Sequence, residues 1–279
     1  MDPILNQSPA PHQGDPGRLW LIAGTGEGLP LAIALQRQGW RLRVSVVSPE
    51  AARPYRSSAP AGAVLELQVG ALAGVVAMQG ELQQAHRRGD PFAVVVDASH
   101  PFATRVSGDL AVACQREVVP LWRLQRSCLP IGKAELLPNL NALAQLSLDG
   151  VPLLLALGAR HLSRAVAASP GAIHHARVLP NVQALQLALA ARLEPARLAC
   201  LRPGGDFAIE EALVRRWGIR AVLCRQSGGL TETGWRGIAE SMGLRLLLLA
   251  RPAEPDPGRC LGMEDLLRTL QAVRGALIP

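Results

Sequence analysis

Aromatic residues, lysine and closely spaced cysteines are scarce in this chain of 279 residues. Phe, Trp and Tyr make up 3% of it, so the exposed rings on which single-stranded nucleic acid stacks are not expected. The five cysteines are widely scattered, without the Cys-x-x-Cys spacing of a zinc site or the density of a disulfide framework. We therefore expect a cytoplasmic protein that binds neither nucleic acid nor a metal.

Long apolar runs are also missing. The longest, Val151–Leu157 and Leu246–Ala250, have the length of strands rather than of membrane-spanning helices. Residues 1–17 are rich in Pro, Gly, Asn and Gln and lack the basic and apolar regions of a signal peptide. We expect this segment to be a flexible tail, and we expect no association with a membrane.

Arginine, by contrast, is abundant. The net charge is +7, although Lys133 is the single lysine of the chain. The forked guanidinium group recognises carboxylates and phosphates, which favours an anionic small molecule as the partner. A genome rich in arginine codons would give the same statistic, so that alternative stays open, and the oligomeric state is undetermined.

Two series of alternating strands and helices run along the chain. The first has predicted strands at Arg18–Ala23, Arg41–Val47, Val64–Val69, Phe92–Val96 and Val118–Arg123. The second has predicted strands at Pro152–Leu157, His174–Val178, Leu198–Leu201, Ala221–Cys224 and Leu244–Leu249. Such alternation predicts parallel sheets with helices on both faces. We expect an α/β protein of two doubly wound, Rossmann-like domains, residues 18–130 and 131–279, with a cleft between them.

A glycine-rich turn joins the first predicted strand to the first helix. Gly24, Gly26 and Gly28 allow a tight turn and bring the backbone close to a phosphate at the helix N-terminus. Thr25 and Glu27 complete the turn, and all five residues are candidate cofactor contacts. The spacing departs from the usual dinucleotide-binding pattern, and the carboxylate of Glu27 is unexpected beside a phosphate.

The end of the second strand indicates which dinucleotide is preferred. An acid there would hold the ribose hydroxyl of NAD, but Ser48 occupies the position and Arg53 and Arg56 follow. We therefore expect NADPH as the cofactor, with NADH as the alternative. The competing interpretation is that both arginines are ordinary loop charges.

The fourth strand ends abruptly in Asp97, Ser99 and His100, with Pro101 holding the histidine out of a helical conformation. The carboxyl ends of parallel strands are where such sheets bind ligands. An imidazole titrates near neutral pH, so His100 is a candidate general acid, oriented by Asp97, while Ser99 is a candidate cofactor contact. Alternatively, Asp97 and Ser99 cap the next helix and His100 shapes the cofactor pocket.

Further polar residues follow other predicted strands of both domains. Candidate ligands for substrate carboxylates are Arg123, Arg126, Arg177 and Arg225, and candidate cofactor contacts are Ser227 and Gly228. His161, His174 and His175 lack metal-ligand spacing and are interpreted as structural or surface residues.

Taken together, these segments resemble the precorrin-6A reductase family of cobalamin biosynthesis, including its cobalt-precorrin-6A branch. The specific matches are Asp-Ala-Ser-His-Pro-Phe-Ala at residues 97–103 and Arg-Val-Leu-Pro at residues 177–180, supported by the glycine turn and by Arg225-Gln226-Ser227-Gly228. The chain departs from the family where Arg225 replaces a lysine and where Thr233–Arg236 replaces an acidic-lysine pair.

The resemblance implies reduction of a double bond of a tetrapyrrole macrocycle by NAD(P)H. The acetate and propionate groups of such a substrate match an arginine-rich site. Two alternatives remain. A reductase of another small anionic substrate would normally carry a Tyr-x-x-x-Lys pair, whereas Tyr55 has no lysine near it. A regulatory module that binds NADP without turnover would not need Asp97, Ser99 and His100.

Overall fold

A computed structural model describes residues 17–58, 65–72, 74–202, 205–254, 256 and 259–277. The expected tail therefore lies outside the described residues, except for Gly17. Two compact units divide the chain, Met1–Arg126 with Pro252–Pro279 and Ser127–Arg251. None of the helices described is long and apolar enough to cross a membrane.

The first unit contains a six-stranded parallel sheet with helices on both faces. Its strands are β1 (Arg18–Ala23), β2 (Arg41–Val46), β3 (Leu65–Val69), β4 (Phe92–Ala98), β5 (Leu121–Leu124) and β12 (Cys260–Leu261). Its helices are α1 (Gly28–Arg37), α2 (Pro49–Ser58), α3 (Gly74–Arg87), α4 (Thr104–Arg116) and α9 (Met263–Leu277). The spatial order is β12-β5-β4-β1-β2-β3. Strand order reverses between β1 and β4, and this position is called the first switch point.

The second unit contains another six-stranded parallel sheet. Its strands are β6 (Glu135–Leu137), β7 (Pro152–Leu155), β8 (Ile173–Val178), β9 (Leu198–Cys200), β10 (Ala221–Arg225) and β11 (Arg245–Leu249). Its helices are α5 (Leu162–Ala168), α6 (Val182–Ala190), α7 (Ala208–Trp217) and α8 (Leu230–Met242). The order β6-β11-β10-β7-β8-β9 reverses between β7 and β10, the second switch point. The predicted α/β class with two parallel sheets is confirmed.

Strand β1 shows why these sheets are covered on both faces. Leu19 and Leu21 pack into one apolar cluster, whereas Trp20 and Ile22 pack into another on the opposite face. Successive side chains of a strand alternate between faces, so a strand buried on both sides reads as a continuous apolar run.

The division of the chain differs from the predicted boundary at its C-terminal end. Cys260 and Leu261 pair with β5, and Leu266 and Leu270 of α9 are fully buried in the core of the first unit. Residues 252–279 were assigned to the second domain because they follow it along the chain. A two-residue strand is too short to show a hydrophobic period that would have corrected this.

Helix α2 occupies a region predicted as a loop. Pro49 stands at its first position, where no backbone N–H is needed, but Pro54 lies inside it. An interior proline costs helix stability locally, and burial of Ala52 and Tyr55 outweighs that cost.

Candidate functional site

The glycine turn lies at the first switch point, next to the loop that follows β4. Thr25 Oγ1 donates a hydrogen bond of 3.3 Å to the carbonyl oxygen of Ala98. A Cβ atom built on Gly24 would lie 3.7 Å from Ser99 Cα. The residues predicted for the cofactor and those predicted for proton transfer are therefore neighbours.

Two glycines of this turn have different surroundings. No atom of the described residues lies within 4 Å of a Cβ built on Gly26, which is exposed. A Cβ on Gly28 would overlap the Tyr55 hydroxyl and lie 3.0 Å from Ala23 Cβ. Gly28 is thus required for the packing of α1 and α2, while Gly26 leaves open backbone at the start of a helix. That open backbone fits the pyrophosphate of a dinucleotide.

The carboxylate of Glu27 is paired within the turn region. Arg126 Nη2 lies 2.7 Å from Glu27 Oε2, and the Arg126 side chain is largely buried. This pairing offsets the negative charge that looked unfavourable beside a phosphate. The guanidinium group of Arg126 therefore contacts Glu27, and its role toward a substrate carboxylate stays a prediction.

A buried polar network closes the end of β4. Asp97 Oδ1 accepts the Ser99 N–H at 2.9 Å, and Asp97 Oδ2 accepts a hydrogen bond from Arg123. Arg123 also donates to the Ser107 hydroxyl and, from Nε, to Glu254 Oε2 at 2.5 Å. Burial opposes the charged form of Arg123, but the carboxylates of Asp97 and Glu254 hold its pKa above the ordinary value.

This network bears on two predictions without testing them. Asp97 was expected to orient His100, and Arg123 was expected to hold a substrate carboxylate. Instead the register pairs Asp97 on β4 with Arg123 on β5, so both side chains project from the same face of the sheet toward α4. Their side chains are 2% and 7% exposed. Asp97 therefore fixes the backbone at Ser99, and Arg123 is neutralised internally.

His100 is held by its own loop. Its Nδ1 accepts the N–H of Phe102 at 3.2 Å, which assigns the proton of a neutral ring to Nε2. The Ser99 hydroxyl lies 3.3 Å from the Ser107 hydroxyl. Both Ser99 and His100 are half-buried, so each keeps surface for contact with a ligand.

At the second switch point, positive groups collect around a histidine that was interpreted as structural. Arg225 ends β10, and a Cβ built on Gly158 would lie 3.4 Å from its Nη2. His161 closes the 3₁₀ turn Ala159–His161 that follows β7. Its burial lowers its pKa, and the charges of Arg225, Arg164 and Arg160 lower it further.

The loop after β10 is held by a hydrogen bond to a buried carboxylate. Gly228 has a φ of +68° and donates its N–H to Glu232 Oε2 at 2.7 Å. Glu232 is fully buried and also accepts from Arg236 Nε at 2.8 Å, while Ser227 is 5% exposed. The N–H of Gly228 thus points to a buried carboxylate, and cofactor binding by Ser227 and Gly228 stays a prediction.

Arg177 lies near the end of β8, buried against α7. Its Nη2 is 3.5 Å from Glu210 Oε1, and both side chains are at least nine-tenths buried. Among the described residues, Arg177 Nε and Nη2 and both Glu210 oxygens lack a hydrogen-bond partner. Burial lowers the pKa of Arg177, and Glu210 only partly offsets this. The charge predicted to meet a substrate faces an interior carboxylate instead.

His174 and His175 are both buried among residues of the second unit. His174 Nε2 lies 2.9 Å from the Ser169 hydroxyl, and the ring of His175 packs 5.0 Å from the ring of Trp217.

Comparison with known proteins matches residues 18–273 to the family described as "Precorrin-6x reductase CbiJ/CobK". The chain belongs to the precorrin-6x reductase family. It is 34% identical to the cobalt-precorrin-6A reductase of Synechocystis, over 84% of this chain and 88% of that protein. It is 29% identical to the precorrin-6A reductase of Rhodobacter capsulatus, over 93% and 95% of the two chains. A solved CobK precorrin-6A reductase superposes with a TM-score of 0.70 at 25% identity, covering 92% of this chain and 97% of that one.

Family membership makes this protein a reductase of cobalamin biosynthesis and implies a nicotinamide cofactor. The open backbone at Gly26 fits such a cofactor, as does the paired charge of Glu27. The hydride chemistry belongs to the cofactor, and the protein supplies position and electrostatics.

Several residues of these regions received no site role from the sequence, among them His161, which was interpreted as structural or surface. They are Ser107, Gly158, His161, Glu210, Glu232 and Glu254. Only Glu232 carried a local signal, since it lies four residues before Arg236 on one helix face. Each of the others meets its partner through the tertiary fold.

Proposed function

We propose that this protein reduces a double bond of precorrin-6A, or of its cobalt complex, with NADPH preferred over NADH. Relatives named precorrin-6A reductase and cobalt-precorrin-6A reductase support the substrate class. The observation that carries the proposal is the open glycine backbone at the first switch point, beside Ser99 and His100.

The preference for NADPH rests on the end of β2. Ser48 stands there in place of an acid, and its hydroxyl accepts the N–H of Ala51 at 3.3 Å to begin α2. Arg53 and Arg56 lie on the exposed side of that helix. A 2′-phosphate near this position gains charge pairing that a 2′-hydroxyl would not.

The chain's own residues have distinct tasks in this proposal. The turn from Gly24 to Gly28 binds the pyrophosphate, with Thr25 joined to the loop after β4. Bound nicotinamide supplies a hydride to the conjugated macrocycle. His100 lies beside this turn and delivers a proton to the neighbouring carbon as an imidazolium, whose Nδ1 has released the Phe102 N–H. The Asp97–Arg123 pair keeps the loop backbone fixed. Arg225 attracts substrate carboxylates. The cytoplasmic location expected from cysteine usage stays a prediction.

Cofactor and substrate titrations test the proposal. We expect wild-type protein to bind NADPH more tightly than NADH and to reduce precorrin-6A, seen as an absorbance change. Gly26→Leu should abolish cofactor binding without loss of fold, since the added side chain enters open space. Gly80→Leu is the matched control, because Gly80 is exposed on α3 and also has no described atom within 4 Å of an added Cβ.

Equal affinity for NADH would overturn the NADPH preference. Unchanged NADPH binding by Gly26→Leu would remove the assignment of the turn. Absence of reduction with either dinucleotide would overturn the proposed reaction.

A further inference from the structure

The second switch point brings the end of β7 beside the end of β10. Leu155 pairs in register with Leu223, and Ala156 N–H donates to the Leu223 carbonyl oxygen at 2.8 Å. The chain then passes through Gly158 into the turn that ends at His161. This is the position at which open parallel sheets bind ligands.

Gly158 gives the Arg225 guanidinium group room to lie against the turn. Its φ of +91° is in the left-handed region that favours glycine. A Cβ atom at this position would lie 3.4 Å from Arg225 Nη2 and 3.8 Å from its Cζ. The turn backbone and the guanidinium group therefore form one continuous surface.

The charges around His161 have one sign. Besides burial, the charges of Arg225 on β10, Arg164 on α5 and Arg160 in its own turn lower the pKa of His161. Helix α6 also packs against this turn and carries no charged residue between Val182 and Ala190. Arg160 and Arg164 are exposed, so the positive region faces solvent.

We propose that His161 and Arg225 form a carboxylate-binding site that takes up a proton from solvent when an acetate or propionate group of the tetrapyrrole binds. The assignment rests on the proposed function, because it takes its ligand from that substrate class. A neutral imidazole surrounded by guanidinium groups is the stable form of the empty site. A bound carboxylate offsets that repulsion, and the imidazolium then donates a charge-assisted hydrogen bond to it.

Calorimetry on the full chain tests this with uroporphyrin, a stable tetrapyrrole with acetate and propionate side chains. Titrations in two buffers of different ionisation enthalpy measure proton uptake directly. We expect wild-type protein to take up a proton, and its affinity to fall as pH rises above neutrality. His161→Gln should bind without proton uptake and roughly 10-fold more weakly, the loss of a charge-assisted hydrogen bond. Arg225→Gln should also weaken binding.

His86→Gln is the matched control, since His86 is an exposed histidine on α3. It should leave affinity and proton uptake unchanged. Proton uptake that persists in His161→Gln would overturn the proposal, as would a wild-type affinity that does not change with pH or an absence of uroporphyrin binding. Should His161→Gln fail to fold, the wild-type pH profile and buffer comparison still decide. Failure of NADPH-dependent reduction would overturn the proposed function separately, because this test contains no cofactor.

Discussion

The two sheets share the order of five strands around their switch points but carry different charged groups there. In the first unit, the carboxylates of Glu27 and Asp97 are each paired with an arginine, and the backbone at Gly26 is open. In the second unit, His161 has arginines around it. The proposed roles of the two switch points follow this difference. The first suits a phosphate at open backbone, and the second suits carboxylates.

The buried arginine–carboxylate pairs of the two units differ in how completely they are hydrogen-bonded. Arg123 donates to Asp97, Glu254 and Ser107, whereas Arg177 and Glu210 approach to 3.5 Å without a hydrogen bond. A buried ion pair is stabilising only when its hydrogen bonds are made. We infer that the first pair supports the fold and that the second costs stability.

The largest expected effect concerns the contrast between His100 and His161. His100→Asn should lower kcat by roughly 10²–10⁴-fold with little change in cofactor KM, because asparagine cannot deliver a proton to the macrocycle. His161→Asn should act mainly on substrate KM. Steady-state kinetics with both variants measure the contrast. A His100→Asn variant that only raises cofactor KM would show that His100 shapes the cofactor pocket.

Replacing each buried pair by apolar residues should change the free energy of unfolding in opposite directions. Asp97→Leu with Arg123→Met should lower the free energy of unfolding by about 3–5 kcal/mol, since it also leaves the largely buried carboxylate of Glu254 without its arginine. Glu210→Leu with Arg177→Met should be neutral or stabilising by about 1–4 kcal/mol. Urea denaturation measures both, and equal losses would contradict the contrast.

Within the glycine turn, Gly28→Ala should lower the free energy of unfolding by about 1–3 kcal/mol, because the methyl group overlaps Tyr55. Gly26→Ala, its control, meets no described atom within 4 Å and should leave stability nearly unchanged. Thermal unfolding of the two variants tests this. An unchanged free energy of unfolding for Gly28→Ala would mean that the Tyr55 side chain shifts to make room for the methyl group.

The smallest expected effect is in acid stability. Burial lowers the pKa values of His161, His174 and His175, all in the second unit, below the ordinary 6.5. The unfolded chain then binds more protons than the native one, so this stability is complete above pH 6.5 and declines as pH falls toward the native-state values.

In the first unit, the Arg43 and Arg18 guanidinium groups outweigh burial and hold the pKa of Glu66 below 4.5, so that contribution declines only at lower pH. Amide hydrogen exchange can be measured at about pH 7.5 and about pH 5.5 and corrected for intrinsic rates. At the lower pH, the second unit alone should open faster than it does at the higher pH. Equal loosening of both units would contradict this assignment.

Sequence reasoning located the strand ends well but not the partners of their side chains. Strand β1 has the predicted bounds, because its apolar run is complete within a few residues. Helix α2 and strand β12 were missed, since prolines obscured one and the other has two residues. The residue types at the ends of β1 and β4 were enough to indicate a cofactor turn and a candidate acid beside it.

Local pattern settles the α/β class, the two sheets and the turns at their edges, because these depend on neighbouring residues. The fold alone decides which charge each arginine meets. Asp97 and Arg123 are 26 residues apart, Glu27 and Arg126 are 99 apart, and Arg123 and Glu254 are 131 apart. Pairing over such separations follows from strand order and register, which bring distant segments to one edge. Thus the same residue type is a structural ion pair at Arg123 and a candidate substrate ligand at Arg225.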